Sequence, residues 1–253
     1  MMYTLVIILG LVIGSFLNVC IHRLQKNESI SKPRSHCPSC KYQLRFWENI
    51  PVLSYLLLGG KCSKCEIKIP LRYPLVEILT ALVFVVIYYY YSVSIETILL
   101  MVFFSIVIII TFIDIDVQLI PNNLLIISLL PIIPFIIINQ PNLYLSHILG
   151  AGLLAATFFI IGYIGKLIYK VDSMGMGDVK YAFVIGLLLG WEKGITAFFI
   201  AFISAAIMIL IMLLNKKISS KQRIPFGPFL SIGCFVAFFW GAGIMNWYIG
   251  FYR

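Results

Sequence analysis

At 253 residues, 61% hydrophobic and only 11% charged, with a mean hydropathy of +1.02, the chain holds far more apolar sequence than one soluble core needs. A soluble all-helical protein would show polar faces at helical spacing, and runs such as TILLMVFFSIVIIITFI show none. The formal charge of +9 raises the question of a nucleic-acid partner, which the placement of the charges answers below.

The first predicted element is a membrane helix over about 4–21. It lacks a basic leading region and carries Asn18 with no clear cleavage site, so it reads as a retained span, not a signal peptide. Cys20, inside it, is a small packing residue. Residues 22–74 then break the apolar pattern with Lys, Arg, Pro and Cys. This insert is anchored by CPSC at 37–40 and CSKC at 62–65. Cys37, Cys40, Cys62 and Cys65 can supply the four thiolates of a tetrahedral structural zinc. Such a clip suits a segment too poor in apolar residues to hold itself by burial. The competing reading, two redox CxxC motifs, fits a reducing compartment and the lysine-flanked cysteines less well than zinc does.

Seven further spans follow, at about 75–92, 97–113, 122–139, 146–169, 179–191, 195–214 and 226–250. The fourth span of the eight carries Pro131 and Pro134 and is expected to kink. Cys234 in the last is another packing residue. The fold class expected is an all-α polytopic membrane protein of about eight helices, with a small zinc-ribbon-like cytoplasmic insert between the first two. The domains read as a first helix at 1–21, a four-cysteine insert at 22–74 and a membrane domain at 75–253. The loops 22–74, 114–121, 170–178 and 215–225, with Lys166 and Lys180 at their helix ends, hold 17 of the 19 Lys and Arg; only Lys193 and Arg253 fall opposite. By the positive-inside tendency these loops are cytoplasmic and both termini lie outside. Topology thus accounts for the charge: anionic lipid is an expected partner, and nucleic acid is not.

Ionisable groups at membrane depth are costly and point to function. Asp114 ends the third span and Asp178 opens the sixth, on the same side, so the two can meet across 64 residues of sequence. Asp114 and Asp116 cannot pair on one helix, because two positions rotate by about 200°. Asp172 stands apart in the loop. The sixth span is short: thirteen residues rise about 20 Å against a hydrocarbon core near 30 Å. The preceding loop is therefore expected to dip into the bilayer, with Gly175 and Gly177 allowing close backbone approach. Two close carboxylates sharing a proton can activate water and polarise a carbonyl, hydrolysing a peptide without a covalent intermediate. GMGDVK lacks the Gly-Lys-Ser/Thr of a phosphate loop. His22 and His36 flank the cysteine insert and His147 opens a helix on the far side, so none accompanies a serine or cysteine nucleophile.

Taken together, GSFLNVCIHRL at 14–24, the paired CxxC, RYPLVE at 72–77, IDIDVQLIPN around Asp114, MGMGDVK at 174–180 and PFGPFLSIG at 225–233 resemble the prepilin leader peptidases. These are membrane aspartic peptidases of the Gly-x-Gly-Asp type that process type IV pilins and pseudopilins, in pilus assembly, competence or secretion. The match runs in order over nearly the whole chain. The resemblance implies a catalytic pair of Asp114 and Asp178, with Asp116 as the fallback. Asn122 departs from the Asp that many members carry after the proline. It further implies a bacterial inner-membrane location, prepilin or pseudopilin substrates, and N-methylation of the new terminus using S-adenosylmethionine. Asn18, Arg23 and Glu77, which flank the insert, then either shape a methyl-transfer site or hold each other structurally.

Three other readings use fewer of these features. A proton-coupled transporter also places carboxylates in broken helices, but should show matched breaks in both halves. A thiol oxidoreductase leaves the aspartates idle, and an assembly scaffold tolerates their loss.

Overall fold

The computed structural model describes residues 1–26, 28–32, 34–140, 142–170, 174–215 and 224–251. Asp172, Arg253 and most of the basic turn at 215–225 lie outside the described residues. Among the described residues, eight α-helices and one short 3₁₀ turn make up the regular structure: α1 (Met2–Gln25), the turn Phe46–Asn49, α2 (Leu53–Leu57), α3 (Arg72–Tyr91), α4 (Ile95–Val117), α5 (Asn122–Asn139), α6 (Tyr144–Tyr169), α7 (Met176–Leu214) and α8 (Gly227–Gly250). All but α2 are long and apolar enough to cross a bilayer, seven in total among the described residues. The chain is a multi-pass membrane protein. By contacts it divides into two compact units, Met1–Ile109 and Ile110–Arg253.

In the first unit α1 and α3 pack antiparallel with their backbones nearly touching. A β-carbon on Gly10 would lie 2.5 Å from Ala81 Cα, and one on Gly14 would lie 2.6 Å from Glu77 Cα. In lipid, where apolar burial offers no selectivity between helices, small residues of this kind allow the close contact that holds a pair together. The insert folds as two matching knuckles. In each, the first cysteine's carbonyl accepts from the residue after the second cysteine, Lys41 N–H to Cys37 and Glu66 N–H to Cys62, both at 3.0 Å. Lys41 and Glu66 both adopt positive φ, 58° and 55°.

In the second unit α7 is 39 residues long, about twice what one crossing requires. It is two arms. The helix breaks at Gly190 (φ 73°, ψ 178°), and the chain reverses there. The first arm runs against α6, with Met174 beside Gly162 and Gly186 against Gly150. The second returns alongside it: Gly194 meets Leu154, and Phe198 and Phe202 stack on Phe158. The eight expected spans therefore all fall on helix, the sixth and seventh as the two arms of α7.

The same contacts fix relative depth within this unit. α7 begins level with Gly162 and α8 begins level with Phe158, through Phe226. Measured along α6, which continues to Tyr169, these starts are recessed by roughly 10 and 16 Å. The N-termini of α7 and α8 thus sit below the C-terminal end of α6.

Candidate active site

Asp114 occupies the last turn of α4 and is 4% exposed. Its Oδ2 accepts the backbone N–H of Gly227 at 2.8 Å. Gly227 opens α8, and the first amides of a helix have no intrahelical acceptor and carry partial positive charge. The carboxylate therefore caps α8. A β-carbon there would stand 2.7 Å from Asp114 Oδ2, so any larger residue would push the carboxylate aside.

Asp178 lies in the first turn of α7, capped by Gly175, whose carbonyl accepts the Asp178 N–H at 3.1 Å. It too sits at the positive end of a helix. The two carboxylates are within electrostatic reach of one another. Asp178 Oδ1 is shielded from solvent and has no hydrogen-bond partner. A buried acceptor left in that state is costly unless something else fills it. Asp116 is exposed, consistent with the rotation that separates it from Asp114.

Gly175 and Gly177 serve by size and not by unusual backbone. Gly175 has an extended conformation (φ −74°, ψ 142°), and a β-carbon on it would come within 3.1 Å of Asp178 Oδ2. One on Gly177 would come within 3.1 Å of Ile120 Cβ, in the segment between α4 and α5. Lys180 Nζ donates to Asn122 Oδ1 at 2.9 Å, tying the start of α7 to the start of α5.

A chain of hydroxyls beneath the carboxylates was not legible in the sequence. Tyr181, fully buried, meets Ser231 Oγ at 2.7 Å, and Thr111 donates to the same oxygen at 2.7 Å. Ser231 also bonds the Gly227 carbonyl at 2.9 Å. Tyr181 stands one turn from Asp178, Ser231 one turn from Gly227 and Thr111 one turn from Asp114. The signal available was helical spacing from the acidic residues, one face at i+3 or i+4.

In the insert, the four ligand atoms of Cys37, Cys40, Cys62 and Cys65 lie within 4.8 Å of one another. Cys37 and Cys65 sulfurs are 3.7 Å apart, and those of Cys40 and Cys62 are 4.0 Å apart. Thiolates about 2.3 Å from a tetrahedral zinc stand about 3.8 Å from each other, so the donor set fits that ion. Burial works to raise the Cys37 thiol, but the N–H groups of Cys40 and Ser39 and the neighbouring thiols outweigh it, bringing it to about 7. At Cys65 the Ile67 N–H pulls downward, yet desolvation and the three nearby sulfurs push the thiol up to about 12.

The polar residues flanking the insert are all buried. Arg23 donates to the carbonyls of Ser29 and Ile30, both at 2.9 Å, and so pins the start of the insert. Glu77 Oε2 accepts the Val52 N–H at 2.8 Å. Asn18 Nδ2 donates to Gly14 O at 3.3 Å and to Tyr73 O at 3.0 Å, joining α1 to α3. Cys20 and Cys234 are buried, and His147 is held by the Leu187 carbonyl and Gln140.

Two family models match the chain. Residues 8–91 match the Bacterial Peptidase A24 N-terminal domain, and residues 101–210 match the Type IV leader peptidase family. The prepilin leader peptidase/N-methyltransferase of Legionella pneumophila is 36% identical, over 99% of this chain and 96% of the relative. Those of Pseudomonas aeruginosa and Bacillus subtilis are each 33% identical, covering 97% and 98% of this chain and 92% and 98% of the relatives. No solved structure matches. With relatives this similar along their whole length, and with the acidic pair and the cysteine cluster each inside a matched region, the chain belongs to the prepilin leader peptidase/N-methyltransferase family.

Proposed function

We propose that this protein cleaves the leader from type IV prepilins or pseudopilins with Asp114 and Asp178, and then methylates the new N-terminal amine with S-adenosylmethionine. The observation that carries the peptidase half is the unpartnered Oδ1 of Asp178 beside an Asp114 anchored by Gly227. Close carboxylates hold one proton between them. The ionised member takes a proton from water as that water attacks the scissile carbonyl. The protonated member hydrogen-bonds the carbonyl oxygen and supplies a proton as the amine departs. The recessed helix starts support access for a substrate helix lying in the bilayer.

The basic residues support an orientation with both aspartates on the cytoplasmic side of the inner membrane and both termini outside. Anionic lipid would meet the same basic loops. Peptidase chemistry falls within 75–253, and methyl transfer within the first helix, the insert 22–74 and Glu77 at the border. Cys37, Cys40, Cys62 and Cys65 would hold one structural zinc, which fixes the two knuckles together.

The test is release of the leader from a prepilin in liposomes. Wild type is expected to cleave, and Asp114→Asn and Asp178→Asn proteins of normal stability are expected not to. Cleavage that survives Asp178→Asn refutes the proposed pair.

A further inference from the structure

The first unit holds a partly open cavity of about 210 Å³ beside the insert, lined by residues that include Asn18, His22, Arg23, Tyr55, Tyr73 and Glu77. A single water needs roughly 10–15 Å³, so this space has room for something larger. Two of its lining residues, Asn18 and Glu77, carry buried acceptors. The Asn18 amide is oriented by its two carbonyl partners, which leaves Oδ1 as an acceptor; that atom is shielded from solvent and has no partner, on a residue 2% exposed. Glu77, 7% exposed, takes only neutral donors in its described contacts, the Val52 N–H and the Ser15 hydroxyl. The loop that supplies the Val52 amide is strained. Val52 has φ 61° and ψ −48°, and Leu53 N–H bonds Pro51 O at 2.6 Å, a positive-φ γ-turn on a β-branched residue. Strain of that order persists where surrounding structure demands it.

A buried acceptor without a donor, next to a buried carboxylate, is complementary to a group that carries both N–H donors and positive charge. We propose that Asn18 Oδ1 and the Glu77 carboxylate form the receptor for the primary α-amine that is methylated, so that the cavity is the acceptor side of the methyl-transfer site. This rests on the methyltransferase half of the reading above. The amine arrives as an ammonium, donates one N–H to Asn18 and gives one proton to Glu77, which frees its lone pair. S-adenosylmethionine supplies an electrophilic methyl on a sulfonium. The amine nitrogen forms a bond to that methyl carbon as the carbon–sulfur bond breaks, sulfur keeps the electron pair as a neutral thioether, and the product is an N-methylammonium. Glu77 returns its proton to water.

The experiment measures binding of a synthetic peptide with the N-terminal sequence of a cleaved pilin to purified full-length protein, without any methyl donor. The peptide is offered with a free and with an acetylated amine. Wild type is expected to prefer the free amine by about tenfold or more. Glu77→Gln keeps an oxygen acceptor for Val52 N–H while removing the charge, and Asn18→Ala removes the orphan acceptor; each is expected to lose most of the preference, with zinc content and melting temperature checked first. Equal binding of both peptides by wild type, or an undiminished preference in a well-folded Glu77→Gln protein, overturns the proposal. Because the peptide is already cleaved, failure of the aspartate pair as a peptidase leaves this result unchanged.

Discussion

The backbone amide of Gly227 and the carboxylate of Asp114, 113 residues apart in sequence, meet at 2.8 Å, so that α8 begins on the side chain that closes α4. One hydrogen bond thus anchors an acid and satisfies a helix terminus.

Gly227→Ala should therefore damage catalysis more than folding. The added β-carbon would lie 2.7 Å from Oδ2 and must push the carboxylate aside. A displacement of that size is expected to lower kcat for leader cleavage by about 10²-fold with little change in KM. A variant with wild-type kcat would show that the contact is dispensable.

Asp116 offers the control for register. It is exposed and turned away from Asp114, so Asp116→Ala should stay within about twofold of wild type, whereas Asp114→Ala should lose at least about 10³-fold. The reverse pattern in a steady-state cleavage assay would move the dyad to Asp116.

The hydroxyl chain should matter less, and in kcat alone. Tyr181→Phe removes the 2.7 Å contact to Ser231 while leaving the ring in place. With Gly227 then less firmly held, a drop of about threefold to tenfold in kcat is expected, and Ser231→Ala should match or exceed it. A double variant no worse than Ser231→Ala alone would place both residues in one network; full additivity would separate them.

The aspartates were legible because, although a lone carboxylate at a helix end has a bland explanation, the topology puts Asp114 and Asp178 on the same side, where they can meet. The four cysteines were legible because paired CxxC spacing constrains geometry directly. Gly227 was legible only as part of a motif, since nothing local reveals which carboxylate will reach across 113 residues to its amide. Tyr181, Thr111 and Ser231 went unread for a different reason. A hydroxyl in a membrane helix can bond a carbonyl one turn back, as Ser105 does to Met101 at 2.7 Å, so its presence alone carries little information. The glycines of the loop stand close to Asp178 Oδ2 and Ile120, and the backbone of Gly175 is ordinary. Among the described glycines of the second unit, positive φ falls instead at Gly190, near the end of the sixth predicted span.

That glycine supports a stability prediction. A β-carbon on Gly190 would combine positive φ with a 2.9 Å approach to Ser146 Oγ. Gly190→Ala is expected to cost roughly 1–3 kcal/mol, read as a lower midpoint in denaturant titrations in detergent. An unchanged midpoint would mean that the reversal does not depend on glycine.

Metal analysis tests the insert. Purified protein should hold about one zinc per chain, and Cys62→Ser should lose most of it. Ligand thiolates must be deprotonated, so protons compete with the metal and occupancy should fall as pH is lowered, recovering on return to neutral pH with added zinc. Protein with no metal at any pH would return the cysteines to redox chemistry.

The reversal at Gly190 also bears on how the protein is made. The first arm of α7 is too short to settle across a bilayer alone, so it must enter with the second arm as a helical hairpin. α8 emerges later still. Since synthesis runs from the N-terminus, Asp114 waits for nearly half the chain before the amide that seats it exists. On the proposed reading, a ribosome stalled between Asp178 and Gly227 would leave in the membrane a chain that has both acids and cannot cut, so that proteolysis begins only when biogenesis is almost complete.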